Sequence, residues 1–153
     1  MSIHAIAYVS TARERAMSPE AMDRLLVEAR EFNLAWGVTG VLLHHDGNFL
    51  QYIEGPADAV GLVFQRIQKA SRHHGIVELL NGPVGQRHFS TWTMGFAEAG
   101  RTDLQRISQA VWCEQLQQIN REPVNSPGLA LLMAFWERIA PRSLTTSAGE
   151  RAD

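Results

Sequence analysis

A glutamine and a tyrosine stand in two apolar, strand-like segments where aliphatic residues would be expected. Gln51 lies within residues 48–54, and side-chain alternation along a strand puts it on one face with Phe49 and Ile53. A buried primary amide without a partner costs about 1–3 kcal/mol, so Gln51 needs one. Tyr8, in the first apolar segment, offers a phenolic hydroxyl. Two hydrogen-bonding side chains on an apolar sheet face predict a polar ligand held against that face.

Local signals around these residues predict alternating strands and helices. Ser18 and Pro19 are typical of an N-cap and a first helical residue, and Gly37 is typical of a helix end. Asp46-Gly47 predicts a tight hairpin turn. The hydrophobic pattern predicts strands at residues 3–10, 38–44, 49–54, 76–80 and 92–96, with helices at about residues 19–36 and 57–70.

The element order βαββαββ predicts an α/β (α+β) sandwich of ferredoxin-like type, with two helices on one face of a mixed sheet. The first two strands flank a helix, so we expect them to pair in parallel through a right-handed crossover. In the fifth strand, alternation is expected to put Trp92, Met94 and Phe96 on one face.

The other sheet face is apolar and needs a cover. Two later helices, over about residues 103–119 and 127–140, are expected to provide it, from the same chain or from a partner. We therefore expect a domain over residues 1–97, a helical extension or cap over 98–140, and a polar, disordered tail over 141–153. The residues of this apolar face are Ala5, Ala7, Val9, Leu50 and Tyr52.

Composition excludes several classes of protein. The 153 residues are 45% hydrophobic and 20% charged, which suits one globular domain with a sizeable core. A net charge of −2 gives no strongly basic surface for nucleic acid. The single cysteine, Cys113, rules out an internal disulfide. No apolar run approaches the roughly 20 residues that span a bilayer, and no signal-peptide pattern begins the chain. A soluble, cytoplasmic protein is expected.

Several motifs, in this order and spacing, resemble the BLUF domain, a family of blue-light sensors that use flavin. The resemblance covers about residues 3–96. Its length and two trailing helices are similar to short members that lack a fused output domain. It implies a bound FAD, with FMN as the alternative. The matching pieces are Tyr8, Asn33 with residues 34–40, residues 49–55, Arg72-His73, and residues 87–96.

The resemblance implies a flavin ring between the two helices, against the sheet. Asn33 would then hold the O4/N3 edge of the ring, and Gln51 would lie between Tyr8 and the N5/O4 edge. In the family, light drives electron and proton transfer from the tyrosine to the flavin. The glutamine then changes its hydrogen bonds by rotation, tautomerisation or both, and the flavin ends oxidised and non-covalently bound. The residues alone leave other roles open: Asn33 as a helix C-terminal cap, Gln51 as a core amide bonded to backbone, and Tyr8 with its hydroxyl at the surface.

Further residues have roles that the resemblance implies. Arg66, Arg72 and His73 would hold the O2 edge of the ring and the ribityl-phosphate tail, since cationic donors suit phosphate. Their alternative is a solvated helix end. Leu25 would pack on the ring face. Trp92 and Met94 would relay the light signal, whereas packing alone would also explain both.

Three positions depart from the family pattern. Ala29 stands where many members have serine, Phe32 where a polar side chain is common, and Ala70 where an acidic residue is often found. Each removes a polar group from the flavin surroundings. None removes the tyrosine–glutamine pair, so the photochemistry is expected to survive, with effects on flavin affinity and dark recovery.

The resulting hypothesis is a non-enzymatic blue-light photoreceptor that signals through a partner protein or within a homo-oligomer. Trp112, Phe135 and Trp136 would form an apolar interface or cover the chain's own sheet. Two alternatives are a flavin-free adaptor and a small ferredoxin-like hydrolase, although residues 11–15 lack a glycine for an anion nest. No metal site is expected, because the paired histidines are adjacent in sequence and the chain has no CxxC or HExxH motif.

Overall fold

The computed structural model describes residues 3–12, 18–69, 73–90, 92–112 and 126–146. These residues form five strands and four helices. None of these helices is both long enough and apolar enough to cross a membrane. In chain order the elements are β1 (His4–Ala12), α1 (Pro19–Trp36), β2 (Thr39–His45), β3 (Asn48–Gly55), α2 (Ala57–Lys69), β4 (His73–Pro83), β5 (Gly95–Glu98), α3 (Arg101–Ser108) and α4 (Pro127–Thr146).

The five strands form one sheet in the order β4-β1-β3-β2-β5. Strand β3 pairs antiparallel with both β1 and β2, and β5 pairs in parallel with β2. The predicted ferredoxin-like architecture is confirmed. The predicted pairing of β1 with β2 is wrong, because the hairpin after β2 returns β3 into the space between them, which splits the βαβ unit.

The local signals for helix and turn ends are confirmed. The Ser18 hydroxyl oxygen accepts a hydrogen bond from the Ala21 amide at 3.1 Å, and Gly37 ends α1 with φ of 70°. Asp46 and Gly47 both have positive φ, 48° and 80°, as a type I′ hairpin turn requires. Gly37 and the Asp46-Gly47 turn set where β2 and β3 begin, and β3 carries Gln51.

Several predicted boundaries are corrected. β4 runs from residue 73 to 83, longer than predicted, because it pairs with β1 along its length. β5 begins only at Gly95, and α3 ends at Ser108 rather than at residue 119. α4 continues to Thr146, so residues 141–146 are helical and not a disordered tail. Once a helix has formed, each further residue adds one hydrogen bond. The helix can therefore continue past the point where the composition becomes polar. Residues 113–125 and 147–153 lie outside the described residues.

The sheet separates two hydrophobic cores. On one face, α1 and α2 pack over Ile6, Tyr8, Leu42, Phe49 and Ile53. On the other face, α3 and α4 cover Ala5, Ala7, Val41, Leu50 and Tyr52. The chain itself therefore provides the cover that its apolar face requires. This second core also buries Trp112, Phe135 and Trp136. These three side chains therefore cover the chain's own sheet and do not form an exposed interface.

Leu132→Ala tests the packing of α4. Leu132 is fully buried in the second core, so we expect the free energy of unfolding, measured by urea denaturation, to fall by about 2–5 kcal/mol. Leu34→Ala is the matched control, because Leu34 on α1 is 71% exposed and should change stability by less than about 0.5 kcal/mol. Equal, small effects would contradict the packing of α4 on the sheet.

Candidate functional site

A cavity of about 640 Å³ lies between α1 and α2, above the sheet face that carries Tyr8 and Gln51. Its walls are mostly apolar, and its polar side chains come from the sheet and from both helices. The two polar residues therefore line one cavity, and its use as a ligand site stays a prediction. The lining residues are Tyr8, Leu25, Glu28, Ala29, Phe32, Asn33, Gln51, Leu62, Val63, Gln65, Arg66, Ile67 and Lys69.

The Tyr8 hydroxyl donates a hydrogen bond to Gln51 Oε1. The two residues are direct partners in the β1–β3 ladder, and both are buried. The Tyr8 ring packs 5.5 Å from the Phe64 ring, centroid to centroid. The alternative in which the Tyr8 hydroxyl reaches the surface is therefore wrong.

The other end of the Gln51 amide points at a methionine. Gln51 Nε2 donates to Met94 Sδ at 3.4 Å, so the described contacts of the amide are with side chains and not with backbone. The two ends of an amide have similar shape but opposite hydrogen-bond character. A rotation of Gln51 would therefore change its bonds to Tyr8 and to Met94 together.

Asn33 combines a structural role with a place in the cavity. Its backbone carbonyl accepts from the Val38 amide at 2.9 Å at the end of α1. Its buried side chain lines the cavity, and Nδ2 donates to the Thr93 carbonyl at 2.7 Å. The residue that caps α1 is Gly37, so the capping alternative does not explain the Asn33 side chain, which lines the cavity and bonds the Thr93 carbonyl.

Trp92 and Met94 lie on opposite sides of the sheet. Met94 is buried in the core under α1 and α2, whereas Trp92 packs against the second core, with its ring edge-on to Trp136 at 5.5 Å. The prediction that they share a face is wrong, because both precede β5 and strand alternation does not apply to irregular backbone.

Of the remaining predicted site residues, some line the cavity and others lie outside the described part of the chain. Leu25 and Arg66 line the cavity, and the Arg66 guanidinium lies 4.7 Å from the centroid of the Phe32 ring. Arg72 lies outside the described residues. The backbone of His73 begins β4, but its side chain is outside the described part.

Sequence reasoning missed several residues at the site. Arg30 Nε donates to the Met94 carbonyl at 3.0 Å, and Lys69 lines the cavity beside Arg66. Helical spacing contained the signal, since Arg30 lies one turn before Asn33 and Lys69 one turn after Arg66. Ala29 and Phe32, which depart from the family pattern, form part of the wall.

Burial controls the ionisation of both tyrosines in the chain. It raises the pKa of Tyr8 well above the usual value, so the hydroxyl is a neutral donor at every physiological pH. Burial also raises the pKa of Tyr52, and the Glu54 carboxylate raises it further through its charge and its hydrogen bond. A neutral phenol that loses an electron becomes strongly acidic, so loss of its proton follows.

Comparison with known proteins identifies the family. A family model described as "BLUF: Sensors of blue-light using FAD" matches residues 3–95. The chain belongs to the BLUF family. It is therefore a flavin-binding blue-light sensor, and the residues that first suggested this resemblance include the hydrogen-bonded pair at the cavity.

Individual relatives agree with this assignment. Photoactivated adenylate cyclase subunit beta from Euglena gracilis is 34% identical over 90 residues, which are 58% of this chain and 10% of that protein. The chain thus spans about a tenth of that relative. The solved BLUF domain of BlrP1 is 30% identical with a TM-score of 0.63, covering 88% of this chain and 90% of that one. The dark-state structure of BlrB, a BLUF protein, is 27% identical with a TM-score of 0.62, covering 78% and 91%.

The two tyrosines give a pH test of the site. The chain contains only Tyr8 and Tyr52, and both pKa values are raised in the folded state. We expect no phenolate absorbance from the native protein at about pH 11, whereas protein in guanidinium chloride should titrate near pH 10. Ultraviolet difference absorbance, with free flavin as the blank, measures this.

The same shift links pH to stability. As the pH rises, the unfolded chain loses its tyrosine protons at a lower pH than the folded chain does. The contribution of the two tyrosines to the free energy of unfolding is therefore fully present below about pH 10 and is lost as the pH rises above it. A native protein that forms phenolate with an ordinary midpoint would contradict the burial of the Tyr8 hydroxyl.

Proposed function

We propose that this chain is a photoreceptor that holds oxidised FAD non-covalently in the cavity between α1 and α2. The observation that carries the proposal is the buried hydrogen bond from Tyr8 to Gln51 at the floor of that cavity. It pairs an oxidisable phenol with an amide that can reverse its hydrogen bonds. Membership of the BLUF family supplies the class of ligand.

The cavity fits a flavin ring in size and chemistry. Its volume of about 640 Å³ suits a mostly apolar site for a small ligand, with a few polar groups that orient it. The apolar wall on α1 consists of Leu25, Ala29 and Phe32, and the apolar wall on α2 consists of Val63 and Ile67. Asn33 and Gln51 would hold the polar edge of the ring, because an amide supplies both donors and an acceptor.

The cofactor tail is assigned to the exposed end of the cavity. Arg66 and Lys69 are exposed cavity residues, and cationic donors suit phosphate. Arg72 and His73 follow α2 in sequence and are proposed to extend this cationic site. A diphosphate offers such a site more acceptor oxygens, spread over a longer group, than a monophosphate does, and the family is described as using FAD, so we propose FAD rather than FMN.

Light sensing is assigned to the tyrosine–glutamine pair. Bound oxidised flavin supplies the blue-light absorption and an electron acceptor. Tyr8 would lend an electron and its phenolic proton, which its raised pKa keeps in place beforehand, and would recover both once Gln51 has rearranged, so that tyrosine and flavin end in their starting oxidation states. Gln51 then changes its hydrogen bonds by rotation, tautomerisation or both. Rotation would turn Oε1 towards the Met94 sulfur, replacing a donor with an acceptor and weakening that contact.

The output is proposed to pass through residues 92–94. Met94 contacts Gln51, and Trp92 contacts Trp136 on α4, so a displacement between them would reach both cores. The chain would act without catalysis, by changing contacts with a signalling partner or within a homo-oligomer in the cytoplasm. The name of one relative, a photoactivated adenylate cyclase subunit, links light activation to an effector enzyme.

An absorption spectrum before and after a blue flash tests the light-sensing role. The wild-type protein should show oxidised flavin with a small red shift that recovers in darkness. Gln51→Leu should abolish the shift, because leucine can neither accept from Tyr8 nor donate to Met94. Gln68→Leu, an exposed position on α2, is the matched control and should keep the shift. A normal light-induced shift in Gln51→Leu would contradict the mechanism. A colourless wild-type protein that does not bind added FAD would favour the adaptor or hydrolase alternative.

Arg66→Ala tests the assignment of the cofactor tail. Loss of a charge-assisted phosphate contact should weaken FAD binding by about tenfold, while riboflavin, which has no phosphate, should bind as before. Titration of the flavin-depleted protein with each ligand measures both affinities. Arg24→Ala, an exposed position on α1 outside the cavity lining, is the control. An equal loss for riboflavin would place Arg66 at the ring instead.

A further inference from the structure

Glu54 is a fully buried carboxylate on the sheet face opposite the cavity. Its exposed fraction is 0%, although the surrounding core is apolar. A buried carboxylate is costly unless hydrogen bonds replace its water shell. Oε2 accepts from the backbone amides of His88 and Phe89 at 2.7 and 2.6 Å, and Oε1 accepts from the Tyr52 hydroxyl at 2.8 Å.

These bonds fasten the chain between β4 and β5. We call residues 84–94 the connecting segment, of which residue 91 lies outside the described part. Near its start, Arg87 donates to the Gly37 carbonyl at 2.7 Å and to Thr39 Oγ1 at 2.9 Å. Residues 87–89 of this irregular segment are therefore held by hydrogen bonds that involve side chains.

The far end of the connecting segment is held at the light-sensing site. Asn33 donates to the Thr93 carbonyl, Arg30 to the Met94 carbonyl, and Gln51 to the Met94 sulfur. The proposed switch therefore acts on one end of the segment, while Glu54 holds its middle.

One strand provides both attachments. Gln51 and Glu54 are three residues apart in β3, so they project from opposite faces of the sheet. Gln51 contacts Met94 on the cavity side, and Glu54 holds residues 88–89 on the side of α4. Phe89 and Trp92 both pack edge-on against Trp136, which ties this part of the segment to α4.

We infer that Glu54 is a positioning residue for the light switch: it fixes residues 88–89 so that Met94 returns to Gln51 after each light cycle. This inference rests on the proposed function. The carboxylate bonds are present in the resting geometry, so they favour the return of the segment to it. Weakening them should slow recovery of the dark state without removing the initial spectral shift, because Tyr8, Gln51 and Asn33 are unchanged.

Glu54→Gln keeps the shape of the side chain and removes its charge. We expect the flash-induced shift to form with its usual size and to recover at least about fivefold more slowly, since bonds to a charged acceptor are the stronger ones. Light-minus-dark infrared spectra should show altered backbone amide bands. In the dark, hydrogen exchange at the His88 and Phe89 amides should be faster, a readout independent of photochemistry.

Glu98→Gln is the matched control. It makes the same substitution in an exposed carboxylate that bonds His44, and its recovery rate should match that of wild type. Tyr52→Phe is the second variant, because it removes one bond to Glu54 and leaves the carboxylate in place. Its recovery should slow by about twofold, and it carries the test if Glu54→Gln does not fold.

The outcomes separate this inference from the proposed function. If the wild-type protein shifts and recovers but Glu54→Gln recovers at the same rate with unchanged amide bands, Glu54 is only structural and the inference is wrong. The inference is equally wrong if Glu54→Gln does not fold and Tyr52→Phe recovers at the wild-type rate. If the wild-type protein itself shows no shift, the proposed function fails instead.

Discussion

The hydrogen bond between Tyr8 and Gln51 depends on the register of two strands. The residues are direct partners in the β1–β3 ladder, on a face that is mostly apolar. A slip of one residue between the strands would turn one of the two side chains to the opposite core and leave the amide and the phenol without each other as partners. The register that buries the apolar residues is thus the one that assembles the switch, so folding and photochemistry impose the same constraint.

Strand β3 then links the two sides of the molecule. Its Gln51 faces the cavity, and its Tyr52 and Glu54 face the core covered by α3 and α4. The packed sheet between them is one route for strain, because closely packed protein interiors have low compressibility. The irregular segment before β5 provides another route, because Met94 lies on one side of the sheet and Trp92 on the other.

Interactions between residues close in sequence made the element ends and the strand faces predictable. Ser18 with Pro19, Gly37, and Asp46 with Gly47 each set an element end through interactions within a few residues, and the structure keeps all of them. Strand alternation placed Tyr8 and Gln51 on a common face, and α4 covers the apolar surface that alternation left bare. The motif order was specific enough to indicate the family, although individual roles such as those of Arg66 and Leu25 remain proposals.

Residue order alone was enough to predict the element types, the two faces of each central strand and the polar pair that one face carries, because these follow from short-range sterics and side-chain period. Long-range packing was needed to place β3 between β1 and β2, to send Trp92 and Met94 to opposite cores, and to bring Glu54 to the amides of His88 and Phe89. Those arrangements join residues far apart in the chain, where the free energy of the whole packed core, rather than any local preference, selects the partner.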